Sequence, residues 1–387
     1  MKTTTKIIIA LIASITLVGA LVFTADNDTP TNNKTASKNN PIQVGWIGPL
    51  TGEAAVYGEP MQKVTRLAVK EINQNGGING RPLEVIYEDG KCRGKAAASA
   101  AQKLVNVNEV EVILGGFCSD EASAAEPITT KNEVLQISSG ASSPDLSGVS
   151  PYFSRTFPAD DVQGKVLANA AYNQKGWRKV AFIREETDYA LGVYESFTSR
   201  FKELGGTVVD STFAPETTDF RTQLSKLENQ DPDALFVDVQ AAPSANRILT
   251  QTKELNWQPP VLLTNSIAPD TELLSSHADI LEGGLATVLE VDNTNDQFQN
   301  LKTAYQDEYG SDLPYPSFSQ VMWDTVKLAA AGMREVGTDG EALSSWARNQ
   351  NDFVGASGPI SINNNGDRVG AQTLKVIRNG ELKDAGK

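Results

Sequence analysis

From position 41 onward, short apolar runs alternate with amphipathic stretches at a steady spacing. Runs over 42–47, 83–87, 110–114 and 134–137 predict strands, and the stretches 59–73, 95–105 and 121–130 between them predict helices. In the first helix Met61, Val64, Leu67, Ala68 and Ile72 fall on one face, and Asn75-Gly76-Gly77 stops it. Strand-helix-strand alternation of this kind builds a parallel sheet with helices on its faces. The pattern restarts after a strand at 153–157 and Pro158. Helices over 162–175, 192–204, 220–229 (behind Asp219 as N-cap) and 245–255 then alternate with strands over 180–183, 207–213, 234–239 and 261–263. Beyond Gly283-Gly284 come a strand over 285–289 and long helices over 296–309 and 318–336. The end differs: 360–362 and 373–377, with turns at 364–366 and 379–380, read as hairpin strands. The fold class is α/β, with two doubly wound parallel-sheet lobes.

The first 40 residues do not follow this pattern. Lys2 and Lys6 precede an apolar run over 7–23 and a polar Asn/Thr/Lys stretch, the signature of an export signal. Small residues up to Ala20 suit cleavage, yet the run is also at the lower length limit for a membrane span. Residues 1–25 are therefore a signal peptide or an N-terminal anchor, and 26–40 a flexible linker. Export into an oxidising compartment makes Cys92 and Cys118 disulfide candidates, two buried free thiols being the alternative.

Composition excludes more than it selects. Forty-eight acidic against 34 basic residues give a net charge of -14, the wrong sign for nucleic acid or an anionic membrane surface. The single histidine, His277, rules out a His-rich zinc site, and two cysteines cannot build a metal cage. No nucleophile elbow, phosphate loop or dinucleotide fingerprint occurs in its proper context. No enzyme activity, cofactor or metal is expected. Acid pairs such as Asp160-Asp161 and Glu185-Glu186 read as solvated surface in so acidic a chain.

Open parallel sheets bind ligands beyond the carboxyl ends of their strands. Gly115-Gly116-Phe117-Cys118-Ser119 leads from a strand into a helix, so backbone N–H groups and the Ser119 hydroxyl could hold an anion such as a carboxylate. Ser119 as a simple N-cap is the alternative. The next strand ends in 137–144, where Gly140 and Ser142 could form the second half of the cradle, or a plain loop. Tyr57 and Tyr189 follow strand ends in the two halves, where each could wall an apolar side chain, stack on an ammonium, or belong to the core. Asp188 and Asp238 lie at or just beyond strand ends.

Several segments together resemble the leucine/isoleucine/valine-binding type of type I periplasmic binding protein. They are 42–52, the helix end running through Asn75-Gly76-Gly77-Ile78-Asn79-Gly80-Arg81-Pro82, the pair Cys92 and Cys118, and 137–144. The resemblance implies two lobes joined by three crossovers, near 157–158, 283–288 and 353–357. Lobe 1 would comprise 41–157 and 288–353, and lobe 2 would comprise 158–287 and 354–387. It further implies hinge closure on a small-molecule ligand, an amino acid of branched-chain type first, delivered to an ABC permease by a monomeric, extracytoplasmic protein. Ser119, Ser142 and backbone near Gly140 would hold the α-carboxylate, Tyr57 would line the side-chain pocket, and Tyr189 would close over the amino end. One departure stands out: where the family's amino-acid binders carry an acid for the ligand ammonium, this chain has Asn265. Asp188 or Asp238 would have to substitute, or the ligand is an amide, urea or carboxylate. A sensor ectodomain is the rival use of the same module, disfavoured because no signalling domain follows Lys387.

Overall fold

The computed structural model describes residues 40–370 and 372–385. The expected signal or anchor and all but the last residue of the linker lie outside them. Among the described residues no helix is long and apolar enough to cross a membrane. The first half gives strands β1 (Ile42–Gly48), β2 (Leu83–Asp89), β3 (Val112–Gly115), β4 (Leu135–Ser138) and β5 (Phe153–Arg155), with helices α1 (Ala55–Gln74), α2 (Gly94–Asn106) and α3 (Ser119–Lys131) between the first four. The strands form one parallel sheet in the order β2-β1-β3-β4-β5, with Val44 level with Val85 on one side and Val112 on the other. The centre of the sheet is buried on both faces, which is why β3 and the middle of β1 read as near-continuous apolar runs.

The second half continues with α4 (Asp161–Asn169), which runs on into a π-helical turn over Ala170–Gln174. Then follow β6 (Lys179–Glu185), α5 (Asp188–Glu203), β7 (Thr207–Phe213), α6 (Arg221–Glu228), β8 (Ala234–Asp238), α7 (Ala242–Glu254) and β9 (Val261–Leu263). After these come α8 (Thr271–Ser276), α9 (Ala278–Leu281), β10 (Leu285–Leu289), α10 (Asp296–Tyr309), α11 (Pro316–Val336) and α12 (Gly340–Arg348). The chain ends in β11 (Phe353–Gly355), β12 (Gly358–Ile362), β13 (Arg368–Val369), β14 (Gln372–Arg378) and β15 (Glu381–Asp384). The second sheet has the order β15-β14-β10-β9-β8-β6-β7 and is mixed, because β14 pairs antiparallel with both β10 and β15.

Each sheet is covered on both faces. In the first lobe Met61, Val64 and Leu67 of α1 share a core with Val321, Met322 and Trp323 of α11, while Ala97, Ala101 and Leu104 of α2 pack with Ile113 on the opposite face. In the second, Leu167, Val193 and Phe197 of α4 and α5 cover one face, and Leu224, Ile248 and Leu249 of α6 and α7 cover the other.

Three sequence expectations need correction. The return to the second sheet does not come at 353–357. Residues 353–369 form a third, small sheet in which Ile360 and Ile362 pack on Leu328 of α11, and Asp367 bridges Arg155 at the end of β5. The chain reaches the second sheet only at β14, a placement decided by packing on α11 rather than by local pattern. Asp219 is not the cap of α6: Phe220 takes the cap position, and Asp219 instead accepts the N–H of Arg221 at 3.2 Å. Helix α5 starts four residues earlier than its apolar face suggests, because the Thr187 hydroxyl accepts from the Ala190 N–H at 3.2 Å. Helices α8 and α12 escaped the periodicity altogether, although Asp270 and Asp339 cap them in the standard way.

Candidate ligand-binding site

Loops leaving the carboxyl ends of β1, β3, β4 and β5 meet those leaving β6, β8 and β9 around a small cavity. From the first lobe it is lined by Tyr57, Phe117, Ser119, Gly140, Ser142 and Phe157, joined by Phe318 of α11. The second lobe contributes Tyr189, Gln240, Asn265 and Ser266. The cavity volume is about 20 Å³, room for one water molecule. Contacts across the cleft hold this closed arrangement. The Tyr57 hydroxyl donates to the Ser266 carbonyl at 2.6 Å, Glu53 accepts from the Ser244 hydroxyl at 2.7 Å and pairs with Arg247, and the Tyr315 hydroxyl reaches Asp270 at 3.2 Å.

One wall is aromatic. Phe318 stacks on Phe157 with centroids 5.5 Å apart and lies 5.8 Å from both Tyr57 and Phe117. Gly140 makes the wall possible: a Cβ there would come within 3.0 Å of the Phe117 carbonyl and ring. Gly115, at φ +132, likewise lets the loop pass the end of β1, where a Cβ would sit 2.1 Å from the Ile47 carbonyl.

Ser119 is not an N-cap. Cys118 holds that position, and the Glu121 carboxylate reaches back to the N–H groups of Cys118 and Cys92 at 3.1 and 2.9 Å. The Ser119 oxygen instead accepts from the backbone N–H of Ser142 and Ser143 at 3.2 and 3.1 Å, and the Ser138 hydroxyl oxygen accepts from Gly140 and Ala141. The N–H groups of Cys118 and of residues 140–143, which looked like part of an anion cradle, are thus paired within the protein. The Ser119 hydroxyl hydrogen faces the site beside the positive end of α3. The Ser142 hydroxyl donates to Asp160 at 2.6 Å.

The acids fall differently from the sequence reading. Asp188 is exposed in the first turn of α5, its N–H donating to Asp120 at 3.1 Å, and does not line the cavity. Asp238 is fully buried, lies outside the lining, and neither of its carboxylate oxygens has a hydrogen-bond partner. Asp160 and Glu185, expected on a solvated surface, are both buried. Every side chain lining the cavity is uncharged. Two of them carry unpartnered amide groups, the Asn265 N–H₂ and the Gln240 carbonyl oxygen. Phe117, Phe157, Phe318, Gln240 and Ser266 went unnoticed in the sequence as site residues. Phe117 could have been found as part of the Gly115–Ser119 loop, whereas nothing local marks Phe318.

Burial pushes the Asp160 carboxyl up to about 7, against the pull of the Ser142 hydroxyl and Arg155, and pushes Asp238 well above the usual carboxylate range, with Arg184 opposing. A carboxyl whose folded pKa is raised stabilises the fold below its unfolded pKa of about 4, and that contribution is lost as pH rises through the folded value. Stability of the ligand-free protein is therefore expected to fall between pH about 4 and about 7. Asp238→Asn should flatten that slope in urea midpoints measured across this range; an identical slope in variant and wild type would refute it.

Two α/β lobes closed over a small cavity lined by aromatic and uncharged polar side chains are the architecture of a solute-trapping protein. The match to the periplasmic binding protein family model over residues 41–381 places the chain in that family. It is an extracytoplasmic solute-binding protein, not an enzyme. Among relatives, the Leu/Ile/Val-binding protein BraC3 of Rhizobium johnstonii is 25% identical over 332 residues, covering 84% of this chain and 88% of that one. The crystal structure of the branched-chain amino acid transporter substrate binding protein LivJ from Streptococcus pneumoniae, in complex with isoleucine, matches with a TM-score of 0.78 and 27% identity over 89% of this chain and 98% of that one. A solute binding protein from R. palustris in complex with benzoate shares the fold, with a TM-score of 0.77 and 20% identity over 90% and 96% of the two chains. Cys92 and Cys118 form a disulfide, so the grouping of metal-ligand side chains that they make with Glu121 has no free thiolate to offer an ion.

Proposed function

We propose that the chain is the substrate-binding component of an ABC importer and captures an apolar α-amino acid, branched-chain type first, by closing its two lobes on it. The observation that carries this reading is the pairing of an aromatic wall on lobe 1 with the free Ser119 hydroxyl donor at one end of the cavity. The apolar side chain packs on Tyr57, Phe117, Phe157 and Phe318, and the carboxylate takes the Ser119 hydrogen at the start of α3. Tyr189 and Asn265 close from lobe 2, and the Gln240 carbonyl accepts one ligand N–H. Asp160 and Asp238 lie behind this end, and a bound ammonium would draw their raised carboxyls back towards the charged form. A cavity of about 20 Å³ cannot hold such a ligand, so entry requires opening at the crossovers, and the Tyr57–Ser266 contact gives way to ligand contacts. On this reading lobe 1 runs over 41–157 and 290–369, lobe 2 over 158–289 and from 372 onward, and the protein works as a monomer, released or tethered by its N-terminal segment.

The uncharged lining favours a second reading, in which an amide, urea or carboxylate without an ammonium replaces the amino acid. A thermal-shift panel decides between them. L-leucine, L-isoleucine and L-valine, but not small amides, urea or simple carboxylates, should raise the melting temperature by several degrees, since a ligand at about 1,000 times its Kd adds about 4 kcal/mol. A shift confined to amides, urea or carboxylates would overturn the amino-acid assignment.

A further inference from the structure

Gln163, in the first turn of α4, is fully buried and does not line the site cavity, yet its side chain contacts two residues that do, Tyr189 and Asn265, and two behind them, Asp160 and Thr287. Its amide nitrogen donates to the Asp160 carboxylate and lies 3.5 Å from the Tyr189 hydroxyl; its amide oxygen accepts from the backbone N–H of Asn265 at 3.2 Å and from the Thr287 hydroxyl at 3.0 Å. The orientation is dictated by the partners, because only the oxygen end can serve two donors and only the nitrogen end can serve a carboxylate. Asp160 in turn holds the Ser142 hydroxyl at 2.6 Å and, through its own N–H, the Ser142 carbonyl at 2.8 Å. Asp160 follows the first crossover, and Thr287 lies in β10, just before the second. One amide therefore contacts lobe 2's Asn265 loop and β10 directly, and reaches lobe 1's Ser142 loop through Asp160 beside the first crossover.

We infer that Gln163 is a positioning residue that couples the two halves of the ligand site to each other and to the hinge. This rests on the cavity being the ligand site, as proposed above, but not on the ligand's identity. When the lobes part, the spacing between the Ser142 and Asn265 loops is set through this amide, so removing it loosens both loops at once.

Gln163→Glu keeps the shape and replaces the donor facing Asp160 with an oxygen. Asp160 is faced by Arg155, Asp161, Asp238 and the Tyr189 ring, and Asp238 in turn by Arg184 and Glu185. Only the arginines offset a second buried carboxylate. L-leucine binding by the intact chain should then weaken at least about tenfold at pH about 8 and much less at pH about 5, where a proton can be shared between the two acids. Adding Asp160→Asn to Gln163→Glu reverses the pair, restores one donor and one carboxylate, and should return the affinity and remove the pH dependence. Unchanged affinity in Gln163→Glu at both pH values would overturn the inference.

Hydrogen exchange of the ligand-free protein tests it without any ligand. Gln163→Leu should raise exchange together over 263–266 and 140–143, while the distant first-lobe strands keep their protection. Faster exchange confined to 263–266, or none, refutes the coupling. If wild-type protein shows no L-leucine binding, the amino-acid reading fails, and the exchange result still decides the role of Gln163.

Discussion

Arg155→Met is expected to cost about 3–5 kcal/mol, the penalty of stranding a buried charge. The Arg155 guanidinium is fully buried and ion-paired with Asp367 at 2.7 Å, and it also donates to the Ala141 and Ser143 carbonyls and the Ser147 hydroxyl. Asp367 is itself buried, so losing the arginine leaves an unpaired carboxylate and takes a donor from the Ala141 carbonyl, while the Ser143 carbonyl keeps the Leu146 N–H. Arg155 ends β5 before the first crossover, and Asp367 precedes the last one, so the pair ties two crossovers together. The melting temperature should fall by roughly 5–10 °C. Arg155→Met with Asp367→Leu should recover part of the loss by removing the orphaned charge. A single variant melting within about a degree of wild type would show that the pair contributes nothing net.

The second large effect is expected from Cys92→Ala with Cys118→Ala. The two cysteines lie 26 positions apart, and closing that loop constrains the unfolded chain by about 3.5 kcal/mol in the chain-entropy model. Both cysteines are buried, and Glu121 holds the N–H of each without involving the sulfurs. The native loop should therefore persist in the double variant, with the stability loss arising chiefly from the unfolded state. The urea midpoint should drop, and ligand affinity should change little. A large loss of affinity with an unchanged midpoint would mean that the disulfide shapes the site rather than restraining the unfolded chain.

The chain order of strands and helices was legible because it is written locally. The 3.6-residue recurrence in α1 and the short apolar runs of β1 and β3 depend only on near neighbours, and the helix over 296–309 was read to the residue. Six residues singled out from the sequence, Tyr57, Ser119, Gly140, Ser142, Tyr189 and Asn265, follow strand ends and line the cavity between the lobes described above. What each does there was not. Ser119 serves as an acceptor for Ser142 and Ser143 because a loop 23 positions away folds over it, and no local pattern carries that information.

The sequence by itself determined two α/β halves, the side of each sheet whose loops line the cavity, and a cysteine pair able to bridge. These follow from periodicity, turn chemistry and residue type, which act over a few positions. Only the tertiary structure decided that Phe318 completes an aromatic wall with Phe157, that residues 353–369 pack on α11, and that Asp160 and Asp238 are buried while Asp188 is exposed. The physical reason is the same in each case. Burial and pairing depend on which distant segments arrive beside a residue, and an aspartate looks alike in sequence whether water or Gln163 finally surrounds it.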